Sequence, residues 1–514
     1  MHGMRQIRLY AAADFPREIV STRIKMNTNH RVFSMNNIED LLSERLRETF
    51  GGTEFRSSQR EIIARILGGG HCLVIMPTGM GKSLCYQLPA LMMEGLTVVI
   101  SPLISLMKDQ VDRLLELGID AAFVNSSLSK HEREARYRAI EEGRYKILYV
   151  SPERFRKDTF RKIIRTRAVS LLAVDEAHCV SQWGQDFRPD YSRIAEYREL
   201  LGFPVTVALT ATATKRVQDD IVATMAIPPD ELKVFNEGIC RPNLHLDVEE
   251  VIDEAEKYEI LYEEIEKTPG PKIVYFSLIS GIERFSNFLD MKRRRHMIYH
   301  GKLAPDKRRY IQQKFLRSDD MLMLATNAFG MGVDKADIRL IIHAEIPDSV
   351  ESYYQEIGRA GRDGKDSRCL LLYCQDDLAV QMSFLEWRNP DAGFIKKAYL
   401  LLKSLGDTVN SFTYEDLQEK LVFKNKGDHR LQTALNIFDR FAVTAGSLDT
   451  LNLRVVRDLP EELLADDTVA LKREVDRMRL VDMLQYAKTA ACRREYIHEY
   501  FGVPHEECGT CDNC

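Results

Sequence analysis

A short apolar run, Cys72 to Ile75, leads directly into the segment Met76-Pro77-Thr78-Gly79-Met80-Gly81-Lys82-Ser83. A glycine-containing loop between a strand and a helix places backbone N–H groups around phosphate oxygens. In such a loop the lysine contacts the β- and γ-phosphates, and the hydroxyl that follows completes a Mg²⁺ shell. The strict eight-residue pattern begins with glycine and this segment with Met76, but the Gly-Lys-Ser half is intact. The residues predicted to hold a triphosphate are Thr78, Gly79, Met80, Gly81, Lys82, Ser83 and Leu84.

Another apolar run, Leu171 to Val174, ends in the acidic pair Asp175-Glu176. A carboxylate at the carboxyl end of a buried parallel strand can meet Mg²⁺ beside the phosphates, and this is the role we predict for Asp175. Glu176, its neighbour, is then placed to polarise an attacking water. A plain surface turn is the alternative interpretation of the two acids.

Two arginines, Arg359 and Arg362, follow far downstream in the segment Ile357-Gly358-Arg359-Ala360-Gly361-Arg362. At a spacing of three on a helix, both would face one side. An arginine from a second lobe can neutralise charge on the transferred phosphoryl group, a contribution of about 10³-fold or more. The alternative is salt bridges on an exposed helix. These pieces together predict two lobes that close around a nucleoside triphosphate, with the catalytic residues Lys82, Asp175, Glu176, Arg359 and Arg362.

Short apolar runs alternate with helical stretches from residue 35 to residue 388, which predicts βαβ units and an α/β fold. Most runs are nearly continuous, as parallel strands buried on both faces require. We predict two lobes with doubly wound parallel sheets, residues 35–241 and 242–388. The predicted strands are 72–75, 97–100, 121–124, 146–150, 171–174 and 205–209 in the first lobe, and 273–276, 297–299, 321–325, 340–343 and 369–373 in the second.

The β rhythm stops beyond Asp377, and helical periodicity takes over. Three helices and an extended stretch resemble a winged helix, a helix-turn-helix variant, although a plain helical spacer is an equal alternative. We therefore predict a helical, winged-helix-like segment at 389–470 and a second helical subdomain at 471–514. The predicted helices of the first segment are 394–405, 413–421 and 429–441, and its extended stretch is 451–456.

The charge balance limits how the chain can bind nucleic acid: 72 Lys and Arg oppose 77 Asp and Glu, for a net charge of −5. Any such binding must use local patches. The basic run Lys292–His296 is either a phosphate contact or a solvated face. No run of about 18 apolar residues exists, so we expect no membrane span and a cytosolic protein. Residues 1–34 contain no secretory signal and are expected to be a disordered tail, or an over-long gene start with Met35 as the natural first residue.

Four cysteines lie close together near the end of the sequence, in the spacing C-x15-C-x2-C-x2-C. Four thiolates with tight x2 spacing suit tetrahedral Zn²⁺, and a set without an open ligand position predicts a structural site. The predicted ligands are Cys492, Cys508, Cys511 and Cys514. The other six cysteines are expected in the core or near the nucleotide site.

From about Phe50 to Cys514 the chain resembles the RecQ family of ATP-dependent DNA helicases, within the larger DEAD/DEAH-type helicase superfamily. The resemblance rests on the motifs above and on the segments 55–59, 101–110, 149–154, 209–213, 299–303 and 328–335. The most family-specific segment is Cys179–Tyr191, which we call the aromatic loop. The resemblance implies two RecA-like lobes, ATP as substrate, Mg²⁺ and Zn²⁺ as cofactors, and 3′→5′ movement on single-stranded or forked DNA.

The resemblance also implies residue roles. Arg56 and Gln59 would bind the adenine, and Asp334 would help to bind the ribose or the metal shell, unless it is only a helix cap. In the aromatic loop, Trp183 and Phe187 offer flat faces on which bases stack at about 1–3 kcal/mol each, unless Trp183 merely packs under the loop. The residues predicted to contact DNA or couple it to hydrolysis are Ser101, Ser105, Trp183, Phe187, Arg188 and His300.

The chain departs from the family pattern at several points. Gly52 stands where a larger residue usually covers the adenine, and Gln185 replaces the usual histidine of the aromatic loop. About 130 residues separate Arg362 from Cys492. We expect no winged helix or accessory domain after the zinc ligands, where the family usually has them, and we expect residues 394–456 to bind duplex DNA instead. An RNA helicase and a nucleotide-gated DNA scaffold without unwinding are the alternative functions. Single-strand-binding or recombination proteins are possible partners.

Overall fold

The structure is a computed structural model. It describes residues 35–181, 188–330, 333, 335–421, 428, 430–448, 450–463, 466–505 and 508–514. The predicted disordered tail, residues 1–34, lies outside these ranges. Among the described residues, no helix is both long enough and apolar enough to cross a bilayer.

The first lobe is built on seven parallel strands in the order β3-β4-β2-β5-β6-β1-β7. Its central strands are buried along almost their whole length, as their continuous apolar sequences require. The strands are β1 His71–Ile75, β2 Leu96–Ile100, β3 Ala121–Val124, β4 Ile147–Val150, β5 Val169–Val174, β6 Val205–Thr210 and β7 Leu232–Asn236.

Helices cover both faces of this sheet and form one apolar core on each side. They are α1 Met35–Phe50, α2 Gln59–Leu67, α3 Leu84–Met92, α4 Ile104–Glu116, α5 Lys130–Glu141, α6 Asp158–Ile164, α7 Ile194–Leu200 and α8 Lys215–Met225. Short 3₁₀ helices span Pro152–Arg156, Ala177–Val180 and Pro189–Arg193. Because the strands are parallel, their carboxyl ends share one edge, where the phosphate loop (residues 76–83) follows β1 and Asp175 follows β5.

The second lobe has six parallel strands in the order β10-β11-β9-β12-β13-β8. They are β8 Leu244–Glu250, β9 Lys272–Tyr275, β10 Met297–Tyr299, β11 Leu322–Ala325, β12 Leu340–His343 and β13 Ser367–Tyr373. The helices of this lobe are α9 Glu254–Lys267, α10 Ile279–Met291, α11 Pro305–Leu316, α12 Val350–Ile357 and α13 Asp377–Arg388. Two doubly wound parallel sheets, as the sequence predicts, therefore account for most of the chain.

The sequence did not reveal two strands, β7 and β8. Each is the outermost strand of its sheet, and each exposes part of its length, so its sequence mixes polar or charged residues with apolar ones instead of running continuously apolar. A search for buried runs finds central strands and passes over such edges.

Residues 392–455, which we call the insert, follow the second lobe. They comprise α14 Ala392–Leu405, α15 Tyr414–Leu421, α16 Arg430–Arg440 and an antiparallel ribbon of β14 Thr444–Ala445 and β15 Arg454–Val455. The insert has an apolar core of its own, formed by α14, α15, α16 and the ribbon. Its assignment as a winged helix stays a prediction.

The two ends of the insert come back together. The helices α17 Asp466–Lys488 and α18 Arg493–Phe501 follow it. Asn389 Nδ2 donates to Asp476 Oδ2 at 3.0 Å, and Lys472 Nζ donates to Asn389 Oδ1 at 2.8 Å. The insert therefore projects from a neck between α13 and α17.

The last residues of the chain pack against the exposed edge of the second sheet. Leu246 N donates to Thr510 O at 3.1 Å, and Asp512 N donates back to Leu246 O at 3.1 Å. The Asp512 carboxylate also accepts from Val248 N at 2.9 Å. The four-cysteine segment thus covers an edge strand whose backbone groups would otherwise be open to pairing.

Candidate nucleotide site and four-cysteine cluster

A cleft of about 870 Å³ lies between the two lobes and is lined by both. From the first lobe it takes the phosphate loop and the two acids, and from the second lobe it takes both predicted arginines. Residues that the sequence separates by 280 positions therefore share one cavity. Among the residues that line it are Ser83 and the five predicted catalytic residues Lys82, Asp175, Glu176, Arg359 and Arg362.

The phosphate loop takes its shape from two glycines with left-handed backbones, Gly79 at φ +83° and Gly81 at φ +81°. Lys82 Nζ donates to Met76 O at 3.0 Å, so the ammonium group lies within the curve of the loop. Burial lowers the pKa of Lys82, while the Glu176 and Asp175 carboxylates oppose that shift. Helix α3 begins at Leu84, directly after the loop, and turns its N-terminus toward the cleft.

Arg56 and Gln59 donate hydrogen bonds to the backbone of this loop. Gln59 Nε2 donates to Met80 O at 2.8 Å and to Gly81 O at 3.1 Å, while its Oε1 accepts from Arg56 N at 2.8 Å. Arg56 Nη1 donates to Gly79 O at 2.8 Å. Both ends of the Gln59 amide are occupied and the side chain is buried, so binding a base edge requires an exchange of partners. The role in adenine binding stays a prediction.

The acidic pair ends β5 in a strained turn, because Glu176 has a left-handed backbone at φ +48°. Asp175 Oδ1 accepts from Glu176 N at 3.0 Å, and Tyr191 Oη donates to the Asp175 carbonyl at 2.9 Å. Burial raises the pKa of Asp175 to about 7, the Glu176 charge adds to this, and Lys82 opposes it. A divalent cation at this carboxylate would offset the burial of its charge.

A short polar chain connects Glu176 with the end of β6. Glu176 Oε2 lies 3.4 Å from His178 Nδ1, which lies 3.0 Å from Thr210 Oγ1. Thr210 Oγ1 donates onward to Thr212 O at 2.9 Å. The carboxylate is thereby connected to the segment 209–213, which resembles the coupling motif of the family.

The prediction that Arg359 and Arg362 share one face of a helix is wrong. Helix α12 ends at Ile357, and the chain turns at Gly361, whose φ is +53°. A Cβ at Gly361 would lie 2.4 Å from Asn243 Nδ2, so the packing here demands glycine. The two arginines therefore lie on a tight turn, residues 358–362, which we call the arginine turn.

The arginine turn touches the phosphate loop directly. Thr78 Oγ1 donates to Gly358 O at 2.8 Å. A Cβ at Gly79 would lie 3.3 Å from Arg362 Cγ, so that side chain passes across the loop. The Arg359 guanidinium is buried and donates to Gly330 O within the second lobe.

Arg241, in the linker between the lobes, was missed by sequence reasoning. Its Nη2 donates to Ala360 O at 2.6 Å and to Gly361 O at 2.9 Å, and its Nη1 lies 3.5 Å from Thr78 O. It therefore connects the arginine turn with the phosphate loop. No local pattern marks it, because all its acceptors are backbone carbonyls distant in sequence.

The predicted DNA contacts have different outcomes. Ser101 is buried directly after β2, and its hydroxyl is inaccessible in this conformation, so its contact with DNA stays a prediction. Arg188 Nη1 donates to Pro102 O at 3.1 Å and so fastens the aromatic loop to the segment after β2. Burial lowers the pKa of His300, and nothing tests its predicted contact with DNA. Outside the described residues lie Trp183, Phe187 and Asp334, together with the side chain of Ser105.

The basic run Lys292–His296 is engaged within the second lobe. Arg294 Nε lies 3.0 Å from Glu266 Oε1, and Lys292 Nζ lies 3.4 Å from Glu259 Oε1. These pairs favour the interpretation as a solvated face.

The four predicted zinc ligands converge. Their Sγ atoms all lie within 4.8 Å of one another. Four sulfurs around a tetrahedral Zn²⁺ at about 2.3 Å would be about 3.8 Å apart, so the cluster fits this ion. Glu495 N lies 3.5 Å from Cys492 Sγ, and Thr510 N lies 3.4 Å from Cys508 Sγ. Burial acts to raise the pKa of Cys508, but the Arg494 guanidinium, the Thr510 N–H and hydroxyl groups and the Cys492 thiol outweigh it and lower that pKa to about 6.

The chain matches three protein families in sequence order. Residues 56–221 match the DEAD/DEAH box helicase family, residues 256–364 match the helicase conserved C-terminal domain, and residues 458–514 match the RecQ zinc-binding domain. These matches and the fold define the class of protein: a member of the helicase families with two RecA-like lobes and a cleft between them.

Relatives identify the family. The ATP-dependent DNA helicase RecQ of Bacillus subtilis (strain 168) is 43% identical over 382 residues, which cover 74% of this chain and 63% of that protein. The "Probable ATP-dependent DNA helicase RecS" of the same organism is 41% identical over 353 residues, which cover 68% of this chain and 70% of that protein. This chain belongs to the RecQ family. It spans slightly less than two thirds of the length of the RecQ relative.

Solved structures agree on the fold. The DEAD-box helicase Mss116, bound to single-stranded RNA and UDP-BeF, aligns with a TM-score of 0.55 at 16% identity and covers 91% of this chain and 98% of its own. The helicase Lhr of Mycobacterium smegmatis, bound to single-stranded DNA and AMP-PNP, gives a TM-score of 0.54 at 18% identity and covers 86% of this chain and 62% of its own.

We expect Glu176→Gln to retain ATP binding and to lose at least about 10²-fold in hydrolysis, because an amide cannot act as a base toward the attacking water. Binding of a fluorescent ATP analogue and release of phosphate measure the two steps separately. Glu474→Gln on α17 is the control, since that side chain pairs only locally with Arg477. Unchanged hydrolysis in Glu176→Gln would remove this carboxylate from the mechanism.

We expect the purified protein to contain one Zn²⁺ per chain and Cys511→Ser to lose most of it, because three thiolates no longer close the tetrahedron. Elemental analysis measures the metal content, and thermal unfolding measures the accompanying loss of stability. Cys374→Ser is the matched control, since Cys374 lies outside the cluster and a serine hydroxyl can keep its hydrogen bond to Ile252 O. Equal zinc in both variants contradicts the assignment.

Proposed function

We propose that this protein is an ATP-dependent DNA helicase, which couples ATP hydrolysis to 3′→5′ movement along single-stranded DNA and to duplex unwinding in recombination and repair. The observation that carries the proposal is the meeting of the phosphate loop and the arginine turn, which belong to different sheets, in one cleft. Membership of the RecQ family supports DNA as the substrate. The family resemblance supports the direction of movement.

Each lobe contributes half of the hydrolysis chemistry. The phosphate loop binds the triphosphate through its backbone N–H groups, Lys82 and Ser83. Asp175 and the Ser83 hydroxyl would hold Mg²⁺, which would supply positive charge to the triphosphate. Glu176 orients the attacking water. Arg359 and Arg362 reach the γ-phosphate from the second lobe, so that hydrolysis requires both lobes to be engaged.

The aromatic loop connects DNA with this site. It begins three residues after Glu176 and ends at Tyr191, whose hydroxyl supports the Asp175 carbonyl. Bases stacked on Trp183 and Phe187 would therefore act on a loop anchored at both ends beside the catalytic acids. With this arrangement, DNA bound to the loop would favour ATP hydrolysis, and hydrolysis would in turn release the DNA.

The insert is proposed to bind the duplex part of a fork. Its three helices and ribbon suit that role, and it stands beside the first lobe near the end of the aromatic loop. The partners in this proposal are single-stranded and forked DNA, ATP and, as yet unidentified, single-strand-binding or recombination proteins. A substrate of this kind places the protein with chromosomal DNA, in the nucleoid of a bacterium or the nucleus of a eukaryote.

Strand displacement tests the proposal. We expect unwinding of duplexes with a 3′ single-stranded tail and of forks, and no unwinding of duplexes with only a 5′ tail. We also expect single-stranded DNA to stimulate ATP hydrolysis more than RNA of equal length does. Stronger stimulation by RNA would favour an RNA helicase, and stimulated hydrolysis without strand displacement would favour a scaffold.

Removal of the insert tests its role. Replacing residues 391–463 by a short Gly-Ser linker spans the neck between Asn389 and α17, so we expect the lobes to fold normally. The affinity for forked DNA should fall at least about tenfold, since the duplex contacts are lost, while hydrolysis stimulated by single-stranded DNA persists. Fluorescence anisotropy with forked and single-stranded oligonucleotides measures the difference. Unchanged affinity for forks would show that the duplex binds elsewhere.

A further inference from the structure

One ion pair joins the insert to the first lobe at a position that the hydrolysis chemistry does not use. Arg156 Nη1 donates to Asp439 Oδ1 at 2.6 Å, and Arg156 Nη2 donates to Asp439 Oδ2 at 2.5 Å. The third N–H of the guanidinium, at Nε, donates to Asp190. A planar guanidinium with a two-pronged contact fixes orientation as well as distance, unlike a single flexible contact.

The three side chains are shielded from water. They are 27%, 24% and 14% exposed for Arg156, Asp439 and Asp190 respectively. Burial acts to lower the pKa of Arg156, but the two carboxylates outweigh it and raise that pKa, so the guanidinium stays charged. This setting differs from the exposed ion pairs that contribute little.

On the side of the first lobe, the contact reaches the catalytic acids. Asp190 follows the aromatic loop's Arg188 and precedes Tyr191. Tyr191 is fully buried, and its hydroxyl donates to the carbonyl of Asp175 at 2.9 Å. Arg156 therefore holds the C-terminal end of the aromatic loop at Asp190. The next residue, Tyr191, donates to the carbonyl of Asp175, the predicted metal-binding acid.

On the other side, the contact reaches the core of the insert. Asp439 lies on α16, which packs into the insert through Leu431, Ala434 and Phe438. The insert has its own core and a neck at Asn389, so Asp439 belongs structurally to the insert. The pair thus connects the insert, which the neck attaches to the second lobe, with the first lobe.

We propose that Arg156 and Asp439 are positioning residues, which hold the insert in register with the aromatic loop so that a duplex bound by the insert delivers its separated strand to that loop. The inference rests on the proposed helicase function and assigns a role to residues outside the nucleotide site. Breaking the pair should leave the rate of ATP hydrolysis unchanged but lower the number of base pairs unwound per ATP.

The test compares Asp439→Asn, which removes one charge at constant shape, with wild type. The number of base pairs unwound per ATP hydrolysed on a forked substrate should fall about fivefold or more. The kcat of hydrolysis with single-stranded DNA should stay unchanged, because Asp439 does not touch the nucleotide cleft. Hydrogen exchange at residues 188–193 and 436–440 should rise, which reports release of the contact without reference to activity.

A charge swap and a control sharpen the result. Combining Arg156→Glu with Asp439→Arg moves the guanidinium to the insert, where it faces the introduced carboxylate and Asp190, so unwinding per ATP should recover relative to either single change. Asp458→Asn is the control, since Asp458 pairs with Lys403 beside the ribbon, and it should behave as wild type.

A variant Asp439→Asn with normal unwinding per ATP and normal exchange, or a swap no better than the single changes, overturns the inference. A wild-type protein that unwinds no fork overturns the proposed function instead, while the exchange data still decide whether the contact holds the insert.

Discussion

The contact between the Thr78 hydroxyl and the Gly358 carbonyl joins two sheets into one nucleotide site. Each lobe carries only half of the predicted chemistry: the phosphate loop and the acids lie at the carboxyl edge of the first sheet, and the arginines lie on the turn between α12 and the start of β13. Gly358, Ala360 and Gly361 lie just beyond a helix end, where carbonyls lack partners within the helix. Arg241 donates to these carbonyls from the linker, so the segment that joins the lobes also shapes the turn that must reach the phosphates.

The subdomain that carries the four-cysteine cluster packs against the helix that leads into the same turn. Its final residues extend the second sheet at β8, and α17 lies against α12, the helix that leads into the arginine turn. Tyr486 Oη on α17 donates to Tyr353 Oη on α12 at 3.3 Å within a buried contact. A metal bound by these four thiolates would therefore stabilise more than its own subdomain, because α12, which leads to the arginines, packs against that subdomain.

Most of the fold could be predicted, and the errors have physical causes. Central strands such as β2 and β5 are buried on both faces, so their sequences are apolar throughout and easily recognised. The edge strands β7 and β8 mix polar or charged residues with apolar ones, so they lack the continuous apolar run of a central strand. The helical spacing of Arg359 and Arg362 was misleading. Gly361 between them forms a turn that packs against Asn243, and Asn243 lies more than a hundred residues away in the sequence.

The sequence by itself determined the groups that do chemistry: the glycines and lysine of the phosphate loop, the acids after β5 and the four cysteines. These groups occur at short, fixed spacings in the sequence. The end of an apolar strand, or two cysteines three residues apart, is therefore enough to recognise them. Only the tertiary structure decided that Gln59 is engaged beneath the loop, that Ser101 is buried, and that Arg241 and Arg156 join separate parts of the chain. These outcomes depend on contacts between residues far apart in sequence, where the packing of whole lobes, and not local spacing, sets which donor meets which acceptor.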